Sequence, residues 1–262
     1  MTDREFDAAT TTHDADGTGI GPVDAATLPG RPGLAHIAVP DVPNFRDAGV
    51  GGLRTGQLFR SGALSLLTPE GAQRLKALGV RSVIDLRTSG ERSRWPDERH
   101  GLDYTDHHHP VLPDRAETGI EWPTTGLETY VFMAETGGHA ITGAVRRIAA
   151  PGGLPAIVHC AVGKDRTGIT VAVLHHLAGL PDDEIVTDFL RSNAHLGLDR
   201  GPVTYVDENG EEQLSHPVET VNLLAALARM RELHGSIEGY LLAHGATQAD
   251  LDTVRAALTG DS

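Results

Sequence analysis

The sequence predicts an α/β domain, and three observations carry that prediction. Two β-rich runs, residues 80–86 and 156–159, are separated and followed by stretches with helical patterning. The second run passes through a short glycine-containing loop directly into an apolar helical stretch, residues 169–180. Helical patterns then continue to residue 258 without an internal repeat or heptad run.

Taken in order, residues 1–30 are acidic and rich in Thr, Gly, Ala and Asp, which predicts a flexible tail ahead of a single domain over 31–262. Thr68-Pro69-Glu70 reads as a helix start, with Thr68 as N-cap and Pro69 at the first helical position. Leu75 and Leu78 share a face of that helix, and Gly79 suits its end. Residues 80–86 follow as a strand. The polar, proline-punctuated stretch 88–125 gives no assignment, and residues 128–150 predict one helix loosened by Gly137 and Gly138. Residues 156–159 are a short buried strand bounded by Pro155. After the helix over 169–180, further helices are expected at 182–195, 217–233 and 248–258. The last opens on Thr247-Gln248-Ala249-Asp250, a capping box with Asp in place of Glu.

Composition narrows the function. The 262 residues are 39% hydrophobic and 22% charged, ordinary for a globular chain, and the 4% aromatic content leaves the core to Leu, Val, Ile and Ala. A formal charge of −14 argues against nucleic acid or an anionic membrane as main partner, since both require a basic face. It also predicts that strongly acidic phosphopeptides are poor substrates unless a local basic patch offsets the field. Cys160 stands alone, which rules out an intramolecular disulfide and a Cys-rich zinc site. The N-terminus lacks the basic start and apolar stretch of a secretory signal, and no apolar run approaches the ~20 residues of a membrane span. The expectation is a cytoplasmic protein without stable membrane insertion, with export by a signal-less route left open.

The chemistry concentrates in His159-Cys160-Ala161-Val162-Gly163-Lys164-Asp165-Arg166-Thr167-Gly168. A loop that leaves a strand and enters a helix N-terminus points backbone N–H groups at one spot, and the helix dipole adds positive character there. Gly163 lets the backbone curl, while Arg166 offers a planar fork of donors to two phosphate oxygens. Cys160 in such a loop is expected to ionise readily and attack phosphorus, forming a phosphocysteine intermediate. Thr167 is placed to donate to the sulfur, and His159 to tune the loop through hydrogen bonds rather than act as a base. Ala161, Val162, Lys164 and Gly168 complete the expected phosphate cradle. The plain alternative is a buried core cysteine in an ordinary strand–helix turn.

These offsets match the Cys-x5-Arg-Ser/Thr signature of the protein-tyrosine and dual-specificity phosphatase superfamily. The longer string resembles a narrower bacterial group, the tyrosine/phosphoinositide phosphatases of the tyrosine phosphatase B type. Asn44-Phe45-Arg46-Asp47-x-Gly49, Leu58-Phe59-Arg60-Ser61-Gly62 and Val83-Ile84-Asp85-Leu86-Arg87 are similar to that group's N-terminal landmarks, in the same order. The resemblance covers residues 42–258. It implies a central mixed sheet flanked by helices, no cofactor or metal, and phosphorylated protein or phosphoinositide as substrate.

The proton donor to the leaving group has three candidates. Trp95-Pro96-Asp97 spells the acid motif of the eukaryotic tyrosine phosphatases, but it closely follows the strand at 80–86, far upstream of Cys160. The resembling group is thought to use the Asp within its phosphate loop, so Asp165 ranks first, ahead of Asp97 and of Asp114. Lys164 either selects multiply phosphorylated inositol headgroups, as the resemblance implies, or merely adds to the local field. The resemblance also implies a helical lid, with residues 124–138 as a candidate. Arg46 and Asp47 either form a structural ion pair near the site, the role the resemblance favours, or contact substrate. His107, His108 and His109 read as a solvated loop rather than a metal site, since consecutive histidines do not easily converge on one ion. His175 and His176 read as packing or surface residues. An arsenate reductase would need further thiols, and a rhodanese-like sulfurtransferase does not ordinarily carry the Lys-Asp-Arg-Thr-Gly continuation. A phosphate-reading module without turnover would be expected to have lost Cys160 or Arg166.

Overall fold

The structure, a computed structural model, describes residues 39, 41–114, 119–207 and 210–260. The tail expected over residues 1–30 and the domain start at 31 lie outside them. Five short strands form the sheet: β1 (Arg46–Asp47), β2 (Leu58–Ser61), β3 (Ser82–Asp85), β4 (Thr105–His108) and β5 (Ala156–His159). Their spatial order is β1-β2-β5-β3-β4. β5 is the middle strand and runs parallel to β2 and β3, while β1 alone is antiparallel, so the sheet is mixed.

Side chains alternate across this sheet and divide the core in two. Phe59, Val83 and Ile157 face one side, where they pack with Leu64 and with Leu75 of helix α1 (Pro69–Ala77). Leu58, Ile84, Ala156 and Val158 face the other, larger cluster. At its centre lies α5 (Asp165–Leu177), a helix apolar on all sides and buried along most of its length. Around α5 stand α3 (Gly126–Thr136), α4 (Gly138–Ala149), α6 (Asp182–His195), α7 (Thr220–His234), α8 (Ile237–Ala243) and α9 (Gln248–Thr259). No helix among the described residues is long and apolar enough to cross a membrane.

The caps sit where residue chemistry places them. Thr68 accepts from the Gly71 amide at the start of α1, and Thr247 and Asp250 form the reciprocal box at the start of α9. Elsewhere the structure corrects the sequence reading. The helix expected over 128–150 is two helices that meet at Gly137, whose backbone (φ −83°, ψ 3°) departs from helical geometry and closes α3 as it opens α4. The unassigned stretch 88–125 contains α2 (Ser89–Arg94) and β4. The histidine run therefore lies on and just after an edge strand rather than in a solvated loop. An unpredicted hairpin, β6 (Val203–Val206) and β7 (Glu212–Ser215), follows α6.

One buried polar network ties sheet, loop and helices together. Asp188 of α6 receives Arg46 Nε at 3.2 Å and Arg60 Nη1 at 2.7 Å, with all three side chains almost fully enclosed. Asn44, which also accepts from Arg46, donates to the Gly163 carbonyl at 2.7 Å, and Arg60 Nη2 donates to the same oxygen at 3.2 Å. Asp47 does not pair with Arg46 as one expectation had it. Its carboxylate instead accepts the Gly49 and Gly56 amides at 2.7 and 2.6 Å and holds the turn between β1 and β2.

Burial alone would raise the Asp188 pKa, but the charges of Arg60 and Arg46 outweigh it and hold the carboxyl far below the usual range. The unfolded chain therefore binds the extra proton first. Stability from this pair is complete above the ordinary carboxylate pKa of about 4 and is lost as pH falls through and below it. Asp188→Asn is expected to destabilise the fold by about 3–5 kcal/mol, because it strands two buried guanidinium groups. Urea denaturation at pH 7 measures that loss, and the gap between wild type and variant should narrow toward pH 3.

Candidate active site

β5 ends at His159, and the loop 160–164 turns its chain into the N-terminus of α5, at the carboxyl edge of the parallel strands. Gly163 adopts φ +80°, and a Cβ there would lie 2.3 Å from the Ser61 backbone, so only glycine lets the loop press against β2. The Gly163 amide points back at Cys160 Sγ, 3.3 Å away. The Thr167 hydroxyl is buried with no well-directed partner among the described residues, and it lies close enough to the sulfur to favour a thiolate. Burial pushes the Cys160 thiol up, but the Arg166 charge and the Thr167 hydroxyl and amide outweigh it, and the net shift is downward.

Arg166 is clamped by Glu91 of α2 in a two-pronged ion pair, Nη2 to Oε1 at 2.7 Å and Nη1 to Oε2. Burial would weaken its protonation, but Glu91 more than restores it and keeps the guanidinium charged. Glu91 is itself fixed by the capping box of α2. It accepts the Thr88 amide while Thr88 accepts its own, and the capping-box spacing Thr88-x-x-Glu91 is the sequence signal that exposes this residue. Lys164 Nζ sits 2.8 Å from Asp165 Oδ2. On the other side of that carboxylate, the buried Tyr130 hydroxyl donates to Oδ1 at 2.9 Å. Tyr130 comes from α3 and was not anticipated by sequence, since nothing near it in the chain suggests a partner 35 residues away. Burial and Asp165 both raise its phenol, so it stays a donor.

The other two acid candidates point elsewhere. Asp97 is drawn beneath the loop, where it accepts the Leu64 amide at 2.9 Å and pairs with Arg87 at 3.0 Å. Its Oδ2 lies 3.3 Å from His159 Nε2, close but out of line for a directed hydrogen bond. Burial would raise its carboxyl, but His159 and Arg87 draw it below the ordinary value. Asp114 accepts the Gly90 amide at 2.9 Å in the first turn of α2. Neither lines the cavity over Cys160, whereas Asp165 does.

Asp85, Asp97 and His159 are, among the described residues, the group of three potential metal ligands that lie close together. Arg87 occupies their midst, bonded to Asp85 at 2.7 Å as well as to Asp97, so the carboxylates are satisfied by ion pairing. His159 keeps its ring against this group with Nδ1 3.3 Å from the Cys160 carbonyl. His175 is packed in the core against the Ala48 carbonyl at 2.7 Å, and His176 is half-buried.

Above the loop opens a cavity of about 490 Å³. Its floor is residues 160–162 and 164–166, and its walls include Arg87, Glu91, Trp95 and Leu66. The hairpin β6–β7 supplies the opposite wall through Tyr205, Asp207, Leu214 and Ser215. Within the stretch 124–138, α3 packs against α7 with Tyr130, Met133 and Ala134 buried, and Thr129 and Met133 border a chamber that shares Glu91, Asp165 and Arg166 with the cavity.

Comparison with known proteins identifies the family. Residues 37–260 match the model of the Tyrosine phosphatase family. The triple specificity protein phosphatase PtpB of Mycobacterium tuberculosis is 29% identical over 277 residues, which span 87% of this chain and 100% of that protein. A tyrosine-protein phosphatase of Nostoc commune is 29% identical over 217 residues, 76% of this chain and 73% of the relative.

With one cysteine in the chain, alkylation reports Cys160 alone. The pH midpoint of iodoacetamide labelling is expected below the ordinary thiol value of about 8.5. In Arg166→Met the midpoint should move upward; an unchanged midpoint would mean that the guanidinium does not support the thiolate.

Proposed function

Because the chain belongs to the tyrosine phosphatase family, we propose that it hydrolyses phosphotyrosine in proteins through Cys160, Arg166 and Asp165. The observation that carries this reading is the Cys160 thiol at the floor of the cavity, with the Gly163 amide, the Thr167 hydroxyl and the Arg166 charge all favouring its ionised form. In the first step the sulfur forms a bond to phosphorus while the ester P–O bond breaks, and the departing phenolic oxygen takes the Asp165 proton. Arg166 and the amides of residues 161–166 hold the phosphoryl oxygens as negative charge redistributes, while the Gly168 amide, expected in the cradle, donates to the Lys164 carbonyl at 3.0 Å. In the second step water attacks phosphorus and gives its proton to Asp165, the S–P bond breaks, and inorganic phosphate leaves with the thiolate restored.

The position of Asp165 supports its role as acid. Lys164 and Tyr130 fix its two oxygens from opposite sides, and it borders the cavity beside Cys160. Glu91 holds the Arg166 fork before substrate arrives, so little reorganisation is needed on binding. His159, Thr167, Gly163 and Gly168 shape the loop rather than take part in proton transfer. PtpB carries triple specificity in its name, and by analogy phosphoserine, phosphothreonine or phosphoinositide esters are further substrates here. The expectation that such substrates are met in the cytoplasm stands as part of this proposal.

Two variants test the assignment. Cys160→Ser is expected to lose turnover of a phosphotyrosine peptide while still binding it; turnover without the thiol would remove the phosphocysteine route. Asp165→Asn should lower kcat for phosphotyrosine about 10²- to 10⁴-fold. The loss should be far smaller for p-nitrophenyl phosphate, whose leaving oxygen scarcely needs a proton. Equal losses on both substrates would take the acid role away from Asp165.

A further inference from the structure

We infer that the mouth of the cavity takes a phosphotyrosine flanked by a bulky apolar residue, and that Leu66 and Leu214 are the specificity-determining residues that receive this neighbour. The inference rests on the phosphatase reading above and names the substrate class within it.

Among the described residues, eight large apolar side chains are strongly exposed, and three of them, Leu66, Tyr205 and Leu214, border this one cavity. A single exposed leucine is ordinary on a protein surface. Several around one opening mark a place that another molecule covers. They also come from separate parts of the chain, Leu66 from the segment after β2 and the other two from the β6–β7 hairpin.

Both leucines are presented by fixed backbone. Leu66 is 71% exposed although Leu64 and Leu67 beside it are buried, and the Leu67 amide closes their turn on the Leu64 carbonyl at 2.9 Å. The Ala63 amide donates to the Ala161 carbonyl at 2.9 Å, which ties this turn to the phosphate loop itself. Leu214 is 58% exposed on β7, where it stands opposite Thr204 of β6. Half-buried Trp95 adds a further apolar surface to the same cavity, and its carbonyl is held by Arg87 Nη1 at 2.7 Å.

With the phosphate seated at the floor, a tyrosine ring rises toward the opening, so the residues beside the phosphotyrosine are the ones that meet the rim. An acidic neighbour fits it poorly. The cations that border the cavity, Arg87, Lys164 and Arg166, are already paired with Asp85 and Asp97, with Asp165 and with Glu91. The formal charge of −14 opposes an acidic peptide as well, and it opposes a bilayer of anionic lipids, the other apolar occupant. An uncharged apolar neighbour covers the leucine surface and releases its water.

The test uses two phosphotyrosine peptides of equal charge, one with Leu and one with Ser on both sides of the phosphotyrosine. The wild type should favour the Leu peptide about tenfold in kcat/KM. The difference should lie in KM, because covering the rim binds substrate and transition state alike. Replacing both rim residues, Leu66→Ser with Leu214→Ser, should bring the ratio to about one. Leu233→Ser, the same change at an exposed leucine that borders neither the cavity nor the adjoining chamber, should keep the wild-type ratio. Equal kcat/KM for the two peptides, or a preference that survives the double substitution, would overturn the inference. So would a double variant that loses turnover only of a monophosphorylated inositol lipid in neutral vesicles, which would give the rim to a bilayer. Dissociation constants measured with Cys160→Ser give the peptide ratio without turnover. A wild type that leaves both peptides and p-nitrophenyl phosphate intact would therefore sink the phosphatase reading, while those constants would still decide what the rim prefers.

Discussion

The loop after β5 depends on the anchoring of one carbonyl. Gly163 turns its oxygen inward, where Asn44 and Arg60 bind it, and turns its amide outward toward Cys160. The two contacts hold the two peptide units that flank Gly163, one on each side of its Cα. The arginine that binds it is fixed by Asp188, which also binds Arg46, so residues from β1, β2 and α6 converge on a single loop residue. Buried ion pairs add little to stability on balance, because desolvation consumes much of their attraction. Here the network fixes the loop's conformation, and its charges are in place before any ligand enters.

A second set of ion pairs works from the opposite side. Arg87 gathers Asp85 and Asp97 beneath the loop, next to His159, while Glu91 grips Arg166 above it. Each cation near the cavity is thus oriented by a carboxylate, which lowers the entropy lost on binding a phosphate. Attraction for phosphate comes from convergent amides and a helix terminus, short-ranged and directional, rather than from a basic field.

The two acid motifs illustrate how position decides chemistry. Trp95-Pro96-Asp97 has the spelling of a mobile acid loop, yet Asp97 is committed to Leu64, Arg87 and the neighbourhood of His159, and its side chain is nearly enclosed. Asp165 lies half in the cavity with both oxygens engaged by Lys164 and Tyr130. A general acid must reach the leaving group, and among the three candidates only Asp165 borders the space where one would sit.

Much of this was legible in the sequence. The buried strand at residues 156–159, the loop and the central helix were readable because each is local: an apolar run, a glycine, a helix entry and a fixed Cys-to-Arg spacing. The caps at Thr68 and Thr247 were readable for the same reason, since a cap and its partner lie three residues apart. The short strands β1 and β4 were not, because they contain no apolar residues and owe their form to neighbours they meet only in three dimensions, whereas β6 went unread although Val203-Thr204-Tyr205-Val206 is built of strand-forming residues. The clamp from Glu91 to Arg166, the tether from Tyr130 to Asp165 and the wall contributed by Asp207 escaped the sequence altogether. By itself the sequence determined the strand, loop and helix that carry Cys160 and Arg166, because the spacing of a few neighbouring residues dictates them. Only the tertiary structure decided which carboxylates border the cavity, since side-chain partners 35 to 75 residues apart are joined by packing that no local pattern encodes.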